Sequence, residues 1–381
     1  MTGSPTVLVI SFSPIARDSR VLRQLSALTS IAEVTSVGYG DPPPGVCEHI
    51  RISDDLPSLP QTVGGVAALA ARRFTHTELS APAIKSALSQ LGDRRFDVLV
   101  ANDARAVPLA FALSHGSPVW ADMHEWAPEE RTHVLSWRLL VAPLMDHICR
   151  TYLPRCAAVT TVSPSIAELY ATTYGVEADV IQNAASFADL QPSRVSSDGT
   201  IRLVHSGGAV KGRAIETMLD AVQQANDRLT LDLYLVPGND GGKYLAQLKH
   251  RARGCDRIRF HMPVSPQDLP ATLNQYDVGI YWIPPYNTNA RLALPNKLFD
   301  FIQARLAVAV GPTQEMAAIV KHRGIGVVSR DYSLENIVST LNSLTTEDVT
   351  KFKLASHAAA TDLSFETEAS TIHHIITRLT S

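Results

Sequence analysis

At 381 residues the chain is long for a single hydrophobic core and suits two domains. Its net charge of -3 excludes a global basic field of the kind that binds nucleic acid, so local cations must carry any contact with anionic ligands. Hydrophobic residues at 45% and charged residues at 19% are ordinary for a globular enzyme.

In chain order, Val7–Ser11 reads as a buried strand. A helical pattern over Asp18–Thr29 follows, with Val21, Leu22, Leu25 and Leu28 on one face, and then a second strand over Val34–Tyr39. Pro42-Pro43-Pro44 breaks the pattern. Further strands are predicted at Phe96–Ala101, Val119–Met123, Ala157–Val162 and Asp179–Ile181. Ser163 and Pro164 open a helix to Tyr174 as N-cap and first residue.

The polar stretch Gln191–Thr200 reads as an interdomain linker. The pattern then restarts, with strands at Ile201–His205, Leu231–Val236, Ile258–His261, Val278–Trp282, Ala307–Val310 and Gly326–Val328. Helices alternate with them at Ala214–Ala225, Tyr244–Arg253, Leu269–Tyr276 and Asn296–Ala304. Such alternation predicts two α/β units with doubly wound parallel sheets, whose ligands sit at the carboxyl ends of the strands, in a cleft between facing domains.

Cys47, Cys149, Cys156 and Cys255 form no C-x-x-C pair and have no paired histidines at zinc spacing, which predicts free thiols. No leader-like segment precedes Val7, and no apolar run approaches the ~20 residues of a membrane helix, so a cytoplasmic protein is expected. Val66–Phe74 holds Arg72 and Arg73, and Trp137–Arg155 holds Arg138, Arg150 and Arg155, among apolar residues. These stretches read either as amphipathic core-facing helices or as a surface for peripheral contact with anionic lipid at the inner membrane face.

Three segments can carry chemistry. Ser206-Gly207-Gly208-Ala209-Val210-Lys211-Gly212-Arg213 follows a strand and precedes a helix. Glycines such as Gly207 and Gly208 let the backbone approach an anion, Lys211 and Arg213 add charge, and the helix start adds N–H groups. The segment is neither a Walker loop nor a G-x-G-x-x-G fingerprint, and a solvated turn with two cations is the alternative. In Leu294–Ala304, Asn296 is placed to cap a helix, and Asp300 one turn in can accept hydrogen bonds from a sugar diol or simply complement the helix dipole. In Ala121-Asp122-Met123-His124-Glu125-Trp126, His124 can act as a general base or a hydrogen-bond donor, although a histidine at a strand end is more often structural. No Asp-x-Asp occurs, so protein cations rather than a divalent ion are expected to hold a diphosphate, and no cofactor is expected.

Six segments in this order resemble the large retaining family of bacterial GT-B glycosyltransferases (group 1, family 4-like). They are Asp18-Ser19-Arg20-Val21, Asp122-Met123-His124-Glu125, Gly208–Arg213, Phe260-His261-Met262-Pro263-Val264, Tyr276-Asp277-Val278-Gly279 and Pro295-Asn296-Lys297-Leu298-Phe299-Asp300. The resemblance implies an N-terminal acceptor-side Rossmann-like domain over 1–190, a nucleotide-sugar-binding one over 191–365, and a terminal helix over 366–381 returning to the first. It implies a nucleotide diphosphate-sugar donor and an acceptor that is a glycan, a lipid-linked sugar or a small molecule, with no nucleic-acid partner. By the same likeness Lys211, Arg213 and the backbone of Asn296, Lys297 and Leu298 hold the diphosphate, Val264 meets the base, and His124 orients the sugar or acceptor. The family's second glutamate is here Asp300, expected at the ribose, and the first is Leu292, so Asn287, Asn289 or Arg291 is expected to take over the sugar contacts. A nucleotide-sugar epimerase on the same fold and a non-catalytic sugar-nucleotide-binding homologue are the alternative readings.

Overall fold

The computed structural model describes residues 4–132, 134–292 and 294–381. The chain divides into two compact units. The first holds the chain through Gln182 together with Asn287–Asn289 and Glu368–Ser381; the second holds Asn183–Tyr286 and Ala290–Thr367. The stretch 191–200, read above as a linker, lies inside the second unit.

The first unit is built on a sheet of seven parallel strands: β1 (Thr6–Pro14), β2 (Glu33–Tyr39), β3 (Glu48–Ile52), β4 (Val98–Asn102), β5 (Val119–Met123), β6 (Ala158–Thr161) and β7 (Asp179–Val180). Their order is β3-β2-β1-β4-β5-β6-β7. The order reverses between β1 and β4, and an open parallel sheet offers a binding crevice at such a point. β3 was not predicted; its alternation of exposed and buried residues marks an edge strand with one polar face.

Local capping fixes where the helices begin. The Asp18 carboxylate accepts from the amides of Arg20 and Val21 and starts the helix Ser19–Leu28. Ser163 accepts from the Ile166 amide and starts Pro164–Tyr174, as its sequence predicts.

The second unit has six parallel strands: β8 (Ile201–Ala209), β9 (Leu229–Pro237), β10 (Ile258–His261), β11 (Val278–Tyr281), β12 (Ala307–Val310) and β13 (Gly326–Val328). They lie in the order β10-β9-β8-β11-β12-β13. Alternate residues serve opposite faces: Leu203, Leu231, Ile280 and Ala307 belong to one core cluster, and Val204, Val308 and Val310 to another. Burial on both faces explains why the inner strands β11 and β12 read as apolar runs.

Two differences from the sequence reading bear on the site. Residues 206–209 do not form a loop; β8 stays paired with β9 as far as Ala209 opposite Pro237, and the turn begins only at Val210. Asn296 is not the cap of the helix Asn296–Gln303 but its first residue; Pro295, in an extended conformation, precedes it. That helix lies very close to β11. A Cβ on Gly279 would fall 2.3–2.6 Å from ring atoms of Phe301, a space only glycine leaves open.

Candidate functional site

In the first unit, Arg20 reaches from its helix to β5. Its Nη2 and Nε donate to the two Asp122 oxygens at 2.6 and 3.0 Å, and Nη1 donates to the Ile181 carbonyl at 2.8 Å. Gln24 Nε2 and Thr160 Oγ1 also donate to Asp122, at 3.0 and 2.7 Å. Burial alone would raise the Asp122 pKa, but Arg20 and His124 reverse this and hold it well below the usual carboxylate range. Asp122 is therefore a buried, ionised anchor.

The His124 side chain, 16% exposed, lies between oxygen acceptors on both sides. Nε2 is 2.9 Å from Asn102 Oδ1 and 3.5 Å from Asp122 Oδ2; Nδ1 is 3.4 Å from Asp103 Oδ2. Asn102 gives its amide Nδ2 to Gln24 Oε1 at 3.0 Å, which leaves its oxygen turned toward His124. Both ring nitrogens thus face acceptors, the arrangement that suits the imidazolium. Burial acts against that charge, yet Asp103 and Asp122 outweigh it and raise the His124 pKa. A histidine so held is a poor general base and a good fixed cation.

Asp103 sits at φ 66, unusual for a residue with a Cβ, and its Oδ1 also accepts the His124 amide at 3.1 Å. Glu125, next in the chain, is partly buried; burial first, then the charges of Asp103 and Glu130, push its pKa up to about 8. Tyr170 OH donates to the Glu125 carbonyl at 2.9 Å and accepts from the Ala127 amide at 3.2 Å, which fixes this segment's path. Asn289 is buried and engaged with the Trp126 backbone: its Oδ1 accepts from the amide at 2.6 Å and its Nδ2 donates to the carbonyl at 3.1 Å. Leu292 is buried as well, at the place where the family resemblance leads one to expect a carboxylate.

In the second unit the cationic elements gather at the carboxyl end of β8. Gly207 has φ 142, and a Cβ there would lie 3.2 Å from Lys297 Cε; a Cβ on Gly208 would lie 3.5 Å from Arg213 Nη1. The Lys297 stem thus presses close on Gly207, and Arg213, from a separate segment, makes ordinary contact beside Gly208. Lys297 Nζ pairs with Asp300 Oδ2 at 2.6 Å. Behind them His205 is buried, with Nδ1 2.9 Å from the Ile280 carbonyl. Burial is the main cause that lowers its pKa to about 4; the Ile280 carbonyl opposes this, and Lys297 and Arg213 add to it. His205 is thus neutral, with its proton on Nδ1.

Lys211 and Arg213 are exposed on the turn, and Asn296, Lys297 and Val264 are partly exposed, while Leu298 is buried and contributes backbone only. Sequence reasoning missed Asn102 and Asp103, the Lys297–Asp300 pair and His205. The signal for the first two was a polar pair closing a strand beside the switch point; the third is a Lys-x-x-Asp spacing on one helix face. Among the described residues no group of three or more His, Cys, Asp or Glu is arranged to hold a metal ion.

Residues 33–186 match the model of Glycosyltransferase Family 4. No curated protein matches the chain by sequence. Solved structures resemble it along almost its whole length at low identity. Sucrose-phosphate synthase from Thermosynechococcus elongatus superposes with a TM-score of 0.71 at 13% identity, over 98% of this chain and 99% of that one. A glycosyltransferase from Rickettsia africae gives 0.70 at 9% identity, over 99% of each chain. HepE from Anabaena, solved in complex with UDP-glucose, gives 0.69 at 13% identity, over 98% of this chain and 100% of that one.

Proposed function

We propose that this chain, which has the GT-B fold and carries in residues 33–186 a Glycosyltransferase Family 4 segment, transfers a sugar from a nucleoside diphosphate-sugar to an acceptor hydroxyl. The observation that carries the reading is the meeting of Lys297 with Gly207 and of Arg213 with Gly208 at the end of β8. Glycine there admits phosphate oxygens close to the backbone, and the two cations stabilise charge as the diphosphate departs. HepE, which shares the fold, was solved with UDP-glucose, and this supports a nucleotide-sugar donor.

Transfer proceeds with retention, as the six family-like segments imply, and without a divalent ion, as the absence of Asp-x-Asp beside a basic turn implies. The bond from the sugar C1 to the diphosphate oxygen breaks, the acceptor oxygen bonds to C1 on the same face, and the acceptor proton leaves on the departing diphosphate. His124, whose charged form Asp103 and Asp122 favour, offers positive charge and an oriented ring in the acceptor-side unit. The second unit is the donor side, with Val264 near the base, Asp300 at the ribose, and Lys211 adding charge to the turn.

The test is a thermal-shift panel of nucleoside diphosphates and their sugars, followed by incubation of the best donor alone and with candidate acceptors. A ligand that binds the folded site raises the unfolding temperature by mass action. Stabilisation by one nucleotide-sugar, with a glycosylated product only when acceptor is present, supports the proposal. An epimerised donor formed without acceptor, or binding without turnover, replaces it with one of the two alternatives.

A further inference from the structure

The short helix Val63–Ala70 in the first unit has no polar side chain. Gly65 and Leu69 are its buried residues. The opposite stripe, Val63, Val66, Ala67 and Ala70, follows the i, i+3, i+4, i+7 spacing that normally marks a core face, yet all four are exposed. Val63 is 91% exposed. Beside it runs a turn of π-helix, Trp137–Val141, and Arg72 Nη1 ties the two by donating to the Leu139 carbonyl at 3.2 Å. Leu135 and Leu139 are 59% and 53% exposed. A monomeric surface seldom groups so many exposed apolar side chains without a use.

The two chain segments that form this face carry charges of one sign. Arg73, Arg131 and Arg138 are exposed, and the sequence has no acidic residue between Asp55 and Glu78 or between Glu130 and Asp146. Aliphatic side chains that can enter the acyl boundary, set among arginines with no carboxylate between them, match an anionic bilayer surface. A protein partner is the poorer match, since the exposed apolar residues here are aliphatic and protein interfaces are anchored chiefly by aromatic side chains.

We propose that the face formed by Val63–Ala70 and Leu135–Leu139 docks this protein onto anionic lipid headgroups. The inference is independent of the donor reading. The test is flotation of the full chain with phosphatidylcholine vesicles, alone or mixed with phosphatidylglycerol. The expected result is partition to the mixed vesicles, little to phosphatidylcholine alone, and weakening as salt is raised. Arg73→Gln and Arg138→Gln should each lower partition about fivefold, the effect of removing one surface cation. Val66→Glu with Leu139→Glu should abolish it while the melting temperature and nucleotide binding stay at the parent level. Absence of partition by the parent chain overturns the proposal, as does partition that none of these variants changes. Light scattering is the second readout: a dimer that Leu139→Glu converts to monomer would assign the face to a second copy and also overturn it.

Discussion

Lys297 Nζ lies 2.6 Å from Asp300 Oδ2, so the first turn of the helix Asn296–Gln303 presents a cation and an anion side by side. One carboxylate oxygen orients the ammonium, and in the proposed donor site the other would receive a ribose hydroxyl. Asp300→Ala should therefore weaken a ribonucleotide donor more than its 2′-deoxy counterpart. A double cycle over the two ligands and the two variants should show a coupling above about 0.5 kcal/mol. Equal losses would leave Asp300 with the Lys297 partnership alone.

Removing either cation at the end of β8 should weaken nucleoside diphosphate binding. Arg213→Ala and Lys297→Ala should each cost about 1.5–3 kcal/mol, the range for hydrogen bonds to charged groups. Titration calorimetry reads this directly, and unchanged affinity in both variants would remove the diphosphate from this place.

His205 provides a reporter that does not touch the ligand. The positive field of Lys297 and Arg213 contributes to its low pKa of about 4. A diphosphate bound to those cations cancels part of that field, so binding should raise the His205 pKa. An NMR titration of the ring nitrogens with and without nucleoside diphosphate checks the direction. Because this pKa lies below the ordinary 6.5, the unfolded chain binds the extra proton first, and the His205 contribution to stability should rise between about pH 4 and 6.5.

Glu125 has the opposite sign. Its pKa is raised from 4.5 to about 8, so the folded chain holds the extra proton across that interval and stability should fall as pH rises through it. His124, also raised, adds a loss in the same direction above 6.5. Glu125→Gln should leave the His205 rise unopposed below 6.5, lessen the fall between 6.5 and 8, and stabilise the protein near pH 8. Denaturant unfolding over this range decides the matter, and a variant that tracks the parent curve would show that Glu125 is ionised throughout.

For His124, substitution by alanine should remove most turnover and leave nucleotide affinity intact, because the residue belongs to the other unit from the proposed diphosphate site. If the fixed-cation role is right, turnover of the parent should not require deprotonation of this ring. A parent profile that rises through the His124 titration, measured by NMR on the same sample, would restore the general-base reading.

The strands Val119–Met123 and Ala307–Val310 have the bounds the sequence predicts, since a strand buried on both faces is largely apolar; the edge strands Ile258–His261 and Gly326–Val328 have their predicted bounds as well, although they are only partly buried. The glycines at 207 and 208 misled because glycine usually signals a turn, whereas here it continues a strand, with Lys297 close against the first. The helices Gln314–Arg323, Leu334–Ser343 and Thr346–Ala359 were not predicted. The third begins at a legible cap, for Thr345 and Asp348 exchange hydrogen bonds across Thr-x-x-Asp. The surroundings of His124 could not be read from its own segment. Asn102 and Asp103 come from the end of a different strand, and only the parallel pairing of β4 with β5 brings them alongside.

The narrow gap at Gly279 gives the helix Asn296–Gln303 its rotational setting. Phe301, the residue after Asp300, fills the notch that this glycine leaves in β11, and a helix keyed in this way cannot turn about its axis without expelling a ring from the sheet. The aim of Lys297 and Asp300 is thus inherited from a position with no polar atom beyond its backbone. A search for variants that lose donor binding should return this buried glycine together with the surface cations, and the two kinds of lesion would look alike by affinity while differing in what they break.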